Sequence, residues 1–197
     1  EASLRRMAHY DYWSDSVRRS ILADSRADLL VFGMGELASA AIAKALAEGA
    51  DVTSIRDIPG TCWKTHRPES AADAAVLPSF DEVSSDKTAF ASAFKRFYIE
   101  QDSFRGSRLI QDQGAWHVVQ NRPSMPLSQG EMDAVYSYPS TGTWHPDYDA
   151  EGGVPALEEV KFSITSHRGC FGECAFCALA SHQGRIIQSR SDSSMIA

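Results

Sequence analysis

Three stretches of this 197-residue sequence predict an α/β fold. Asp28-Leu29-Leu30-Val31-Phe32 is a short apolar run that ends in Gly33-Met34-Gly35, the pattern of a buried strand entering a tight turn. The Ala-rich segment from Glu36 to Glu48 follows, a strong helix former stopped by Gly49. Strand, glycine turn and helix make one βα unit, and such units build α/β domains. A Rossmann-like α/β domain over residues 1–150 is the expectation, with a second domain beginning at about 151, beyond the linker described below.

The remaining elements follow in chain order. Trp13, Val17 and Ile21 recur every four residues and predict a helix over about 14–24. A second long helix is expected over about 86–101, where Phe90, Phe94, Phe97 and Tyr98 form one aromatic, core-facing stripe. Leu109-Ile110 and Trp116-His117-Val118-Val119 read as hairpin strands around Asp112-Gln113-Gly114. Ser128 and Glu131 have capping-box spacing, so a short helix starts there and turns Met132 and Val135 inward. Tyr138 to Pro155 has the Pro, Gly, Ser, Thr and Asp content of a linker. Beyond it, Val160-Lys161-Phe162-Ser163-Ile164-Thr165 alternates apolar with polar and predicts a strand.

Composition narrows the function classes. Residues 1–154 carry 15 basic and 22 acidic side chains, and residues 155–197 carry four of each. No basic stretch suits phosphate-led nucleic-acid binding. No apolar run has bilayer length, and Glu1-Ala2-Ser3-Leu4-Arg5-Arg6 is no signal peptide. A cytoplasmic protein with no membrane partner is the expectation. Both ends of the sequence, without an initial Met and stopping at Ile196-Ala197, read as cut.

Chemistry concentrates in Arg168-Gly169-Cys170-Phe171-Gly172-Glu173-Cys174-Ala175-Phe176-Cys177. Three cysteines spaced C-x3-C-x2-C suit metal or cluster binding better than cross-links, while the distant Cys62 reads as a part-buried small apolar residue. Three readings compete. A zinc site could add His167 or His182 to the cysteines. A ferredoxin-like carrier would need a fourth cysteine, and only Cys62 remains. A [4Fe–4S] cluster with three protein ligands would leave one iron open to an exogenous ligand. Gly169 and Gly172 would allow the loop to approach such a cluster closely.

Two other patterns carry less. Gly33-Met34-Gly35 with Ala38 fits part of a dinucleotide fingerprint, and Asp57 lies near the distance of its acidic residue; ordinary packing of a βα turn explains these residues better. His145-Pro146-Asp147-Tyr148 lies in the linker and reads as solvated.

C-x3-C-x2-C with Phe176 before the last cysteine resembles the signature of the radical SAM superfamily. Phe162-Ser163-Ile164-Thr165, Arg168-Gly169-Cys170-Phe171-Gly172 and Cys174-Ala175-Phe176-Cys177-Ala178 are similar to YgiQ-type radical SAM proteins. So are His182 to Ser191, Ala2-Ser3-Leu4-Arg5-Arg6, Tyr10-Asp11-Tyr12-Trp13 and Gly33-Met34-Gly35-Glu36. The resemblance implies that residues 151–197 begin a radical SAM (β/α) barrel, incomplete here. It implies Cys170, Cys174 and Cys177 as ligands of a [4Fe–4S] cluster, and Phe176 against the adenine of S-adenosyl-L-methionine. It further implies reductive cleavage of S-adenosylmethionine to a 5′-deoxyadenosyl radical that acts on an unknown substrate, with a reductant such as flavodoxin or ferredoxin. The fragment alone is expected to be inactive. The alternative is a zinc-stabilised binding module using the same cysteines and a histidine.

Overall fold

The computed structural model describes residues 3–196, so Glu1, Ala2 and Ala197 of the motifs above lie outside the described residues. The chain divides into two compact units. One comprises residues up to Pro126 together with Gly169–Ile186; the other comprises Leu127–Arg168 and the residues from Ile187 on.

The first unit is α/β. It opens with a hairpin of β1 (His9–Asp11) and β2 (Ser16–Arg18), then the single-turn helix α1 (Ile21–Asp24). Strand β3 (Leu29–Val31), helix α2 (Glu36–Ala47), β4 (Thr61–Thr65), β5 (Ala75–Val76), α3 (Phe80–Ser85), α4 (Lys87–Ile99), β6 (Leu109–Asp112) and β7 (His117–Gln120) follow. Five strands form a mixed, unclosed sheet in the order β3-β4-β7-β6-β5. All its pairings are antiparallel except β5 with β6.

Strand alternation sorts the core onto two faces. Leu30, Cys62, Val118 and Leu109 pack with Met7, Leu22, Phe32, Leu77 and Phe97, while Leu29, Trp63, Ile110 and Val119 on the other face pack with Ala71 and Ala74. Buried glutamines stitch the N-terminal segment to the sheet. Gln111 Oε1 accepts the Ala8 N–H at 2.9 Å and the Gln113 side-chain amide at 2.8 Å, and Gln113 Oε1 accepts the Ser20 N–H at 3.0 Å.

The βα unit, the hairpin β6–β7 and the helix over 87–99 match the sequence expectation. Asp86 caps α4, whose Phe97 and Ala93 are buried while Phe94 stays half exposed. The expected helix over 14–24 is a correction. Asp11 accepts the Trp13 N–H at 3.2 Å and the Ser14 hydroxyl at 2.7 Å, and Asp15 takes φ of 47°. These side-chain bonds offer the backbone a turn instead of a helix, and Trp13 stands 91% exposed at its tip.

In the second unit, α5 (Gln129–Tyr136) carries the expected capping box of Ser128 and Glu131 and buries Met132. Helix α6 (Ala156–Val160) follows, and β8 (His167–Arg168) pairs antiparallel with β9 (Gln188–Ser189). The expected strand over 160–165 is also a correction. Pro155 precedes a helical turn, Lys161 pairs with Glu158 at 2.7 Å, and residues 161–166 form no strand. Alternation makes a strand only where a neighbouring strand supplies ladder partners. Among the described residues none pairs with this stretch, and Phe162 is 89% exposed. Among the described residues no helix is long and apolar enough to cross a membrane.

Candidate functional site

The cysteine loop is Gly169–Cys177, followed by the short helix Leu179–Gln183. Gly169, at φ of 88°, admits the sharp entry to the loop. Two bonds then close its base: the Cys170 N–H donates to the Gly184 carbonyl at 3.1 Å, and the Gly169 N–H to Gln183 Oε1 at 3.0 Å. Within the loop the Gly172 N–H reaches Cys170 Sγ at 3.4 Å. Cys177 makes the equivalent contact, its Sγ accepting the Leu179 N–H at 3.5 Å, and its own N–H donates to the Cys174 carbonyl at 2.9 Å. Glu173, at φ of 48°, forms an ion pair with Arg185. Cys170 is half-buried, Cys174 and Cys177 are exposed, and Phe176 is 93% exposed.

The sheet domain grips the segment after the cysteines at three points. The Ser3 hydroxyl lies 2.7 Å from His182 Nδ1 and also accepts the Gly33 N–H at 3.1 Å. A Cβ at Gly33, whose φ is 72°, would meet the His182 carbonyl oxygen at 3.2 Å. Both the left-handed conformation and the close approach therefore favour glycine there. Gly35 is similarly confined, since a Cβ would stand 2.8 Å from Val31 Cγ1. The second grip is Arg6, fully buried, which donates to Gln120 Oε1 at 2.7 Å, to the Ser3 carbonyl, and to the Ser181 carbonyl at 3.4 Å. Its guanidinium stands 4.3 Å from the ring centres of both Phe32 and Phe97. Burial pulls its pKa down to about 10. The third grip is Arg185, which donates to the Tyr98 carbonyl at 3.0 Å and lies 4.2 Å over the Tyr98 ring.

A family model described as Radical SAM N-terminal matches residues 1–163. The chain belongs to the radical SAM N-terminal family. It is 55% identical over 196 residues to a UPF0313 protein of Clostridium botulinum, covering 100% of this chain and 30% of that relative. A UPF0313 protein of Clostridium perfringens is 54% identical over 197 residues, again 100% of this chain and 30% of the relative. One from Methanocella arvoryzae is 53% identical over 196 residues, 100% of this chain and 32% of the relative. The chain thus spans under a third of the length of these curated relatives. No solved structure matches.

Membership in the radical SAM N-terminal family does not carry the metal chemistry onto this structure. Among the described residues no group of three or more His, Cys, Asp or Glu side chains is arranged to hold a metal ion. The three cysteines of the loop are, among the described residues, not arranged as a ligand set for a cluster. The expected [4Fe–4S] cluster on Cys170, Cys174 and Cys177 is therefore overturned for this chain. With it fall the iron–sulfur and metal-binding assignments, the S-adenosyl-L-methionine cofactor and its reductive cleavage. The zinc alternative falls on the same finding. His182 Nδ1 is engaged by Ser3 and His167 Nδ1 lies 3.0 Å from the Ser166 hydroxyl.

Other expected positions resolve into structural roles. Asp57 pairs with Arg108 at 2.7 Å. His145 Nδ1 accepts the Asp147 N–H at 3.2 Å and so caps a short 3-10 turn. Cys62 is buried in the sheet core, and burial pushes its thiol up to about 12. Ser3, Arg6 and Arg185, which hold the loop segment, have no local sequence signal. Their partners lie 179, 175 and 87 positions away.

Proposed function

We propose that this chain is the accessory portion of a longer YgiQ-type radical SAM enzyme, and that its work is mechanical: it holds the cysteine-bearing segment in a fixed shape. In this reading residues 1–150 are the accessory domain and 151–197 open the portion that carries the reaction. The family match over 1–163 and the share of the relatives covered support that reading. One observation carries the mechanical part: three separate grips, through Ser3, Arg6 and Arg185, join the sheet domain to residues 181–185. The unknown substrate, and an electron donor such as flavodoxin or ferredoxin, would be partners of the longer protein. Four cysteines, all free, support a reducing, cytoplasmic setting.

Amide exchange tests the mechanical role. Gly33→Ala forces a side chain toward the His182 carbonyl, and Arg185→Ala removes the Tyr98 contact. Each is expected to speed exchange across 169–186 at least several-fold while strands β4, β6 and β7 keep their protection. Unchanged exchange in 169–186 in both variants would refute the role. Given S-adenosylmethionine and dithionite anaerobically, the 197-residue chain is expected to release no 5′-deoxyadenosine. Repeated turnover by the chain alone would refute the accessory reading.

A further inference from the structure

Strand β3 stands at one edge of the five-stranded sheet. The Phe32 N–H donates to the Gly60 carbonyl at 2.9 Å, while the Thr61 carbonyl, opposite Val31, is turned instead to the Asn121 N–H at 2.9 Å. Alternation along an antiparallel pair therefore points the N–H and C=O groups of Leu29 and Val31 away from β4. Among the described residues no strand lies on that side. The strand itself is Leu-Leu-Val, without the charge or proline that commonly blunts an edge. Its three side chains are only half-buried, whereas β4 and β7 bury most of theirs. Helix α2, next in the chain, buries Ala38 and leaves Leu37 and Leu46 exposed. Open edge and uncovered helix thus belong to one βα unit, the kind of unit that α/β sheets ordinarily cover.

We propose that this edge receives one further β-strand, parallel to β3 and rich in Val, Ile or Leu, from the segment that leads into Ser3 in the longer protein. Ser3 points to that occupant. Its hydroxyl accepts the Gly33 N–H at 3.1 Å, so it stands just past the C-terminal end of β3. A strand running into Ser3 ends where β3 ends, and the two therefore run the same way. Residues 4–28 would be the connection between them, and parallel neighbours need a crossover of roughly a dozen residues or more. The chain covers 30% of its Clostridium botulinum relative, so a protein of that kind has ample length outside the matched region. Leu29 and Val31 would gain backbone partners, and an apolar strand would cover their half-buried side chains. The inference rests on the reading of this chain as part of a longer enzyme.

Residue-resolved amide exchange in the longer protein and in the 197-residue chain tests the edge. In the chain alone, Leu30 and Phe32 should be protected and Leu29 and Val31 fast. In the longer protein, Leu29 and Val31 should slow at least about tenfold. Fast Leu29 and Val31 beside a slow Leu30 in the longer protein would overturn the proposal. The accessory reading would survive that result, because turnover by the chain alone decides it separately. Slow Leu29 and Val31 in the chain alone, reversed by dilution, would assign the edge to a second copy and also overturn the proposal. Photo-leucine incorporated throughout the longer protein identifies the occupant: cross-links from Leu29 and Leu30 should reach the segment preceding Ser3. Cross-links from these residues to the portion beyond Ala197 in place of that segment would overturn its assignment.

Discussion

Removing the buried Arg6 guanidinium sets a large cost against a large relief. The relief comes from desolvation: burial lowers its pKa from 12.5 to about 10. At about 1.4 kcal/mol per unit, holding the charge inside costs the fold roughly 3 kcal/mol. Against that, Arg6→Ala strips donors from Gln120 Oε1 and from the Ser3 and Ser181 carbonyls. Each buried acceptor left unmet costs about 1–3 kcal/mol. The two ring faces lose a desolvated cation, worth about 2 kcal/mol each, and the missing side chain leaves a cavity. Set against the relief, these losses leave an expected destabilisation of at least about 4 kcal/mol. Arg6→Met keeps much of the volume and sheds the desolvation cost, so its loss should be about half as large. Urea unfolding with amide exchange reads both quantities, and the loop segment near Ser181 should lose protection before β4 does. A loss under about 1 kcal/mol in Arg6→Ala, or a larger loss in Arg6→Met than in Arg6→Ala, would refute this accounting.

Two further outcomes follow from buried and metal-related groups. The buried Cys62 thiol holds its proton to about 12 while an unfolded thiol releases it near 9.0, so its contribution is complete below pH 9 and is lost as pH rises towards 12. Arg6, lowered to about 10, opposes this slope above that pH. Unfolding free energies measured between about pH 8 and 10 should therefore fall more gently in Cys62→Ala than in the unsubstituted chain; equal slopes would refute the assignment. The unfolding midpoint should also be unmoved by a strong chelator, because no described residues are arranged to hold a metal. A lowered midpoint would reinstate a metal site.

Elements whose cause lies within a few residues were legible in the sequence. Ser128 and Glu131 announce their capping box because both partners sit in one turn, and Gly49 stops α2 because it alone takes φ of 88° there. The Trp13-Val17-Ile21 spacing misled because side-chain bonds from Asp11 outbid helical periodicity. The stretch 160–165 misled because alternation needs a partner strand that the chain itself does not name.

The sequence by itself determined the α/β class, the βα unit at Leu29–Ala47, the family, and the position of the cysteine loop. Only the tertiary structure decided what the loop's side chains do. Spacing along the chain sets how far apart three sulfurs can be, but not which way they point. That is set by the Leu179 N–H on Cys177, by the Glu173–Arg185 pair, and by the bare Gly172 between Cys170 and Cys174. The same holds for Gly33. Its glycine was legible as a turn, but the need for it is the His182 carbonyl 3.2 Å away, brought there from 149 positions along the chain by folding alone.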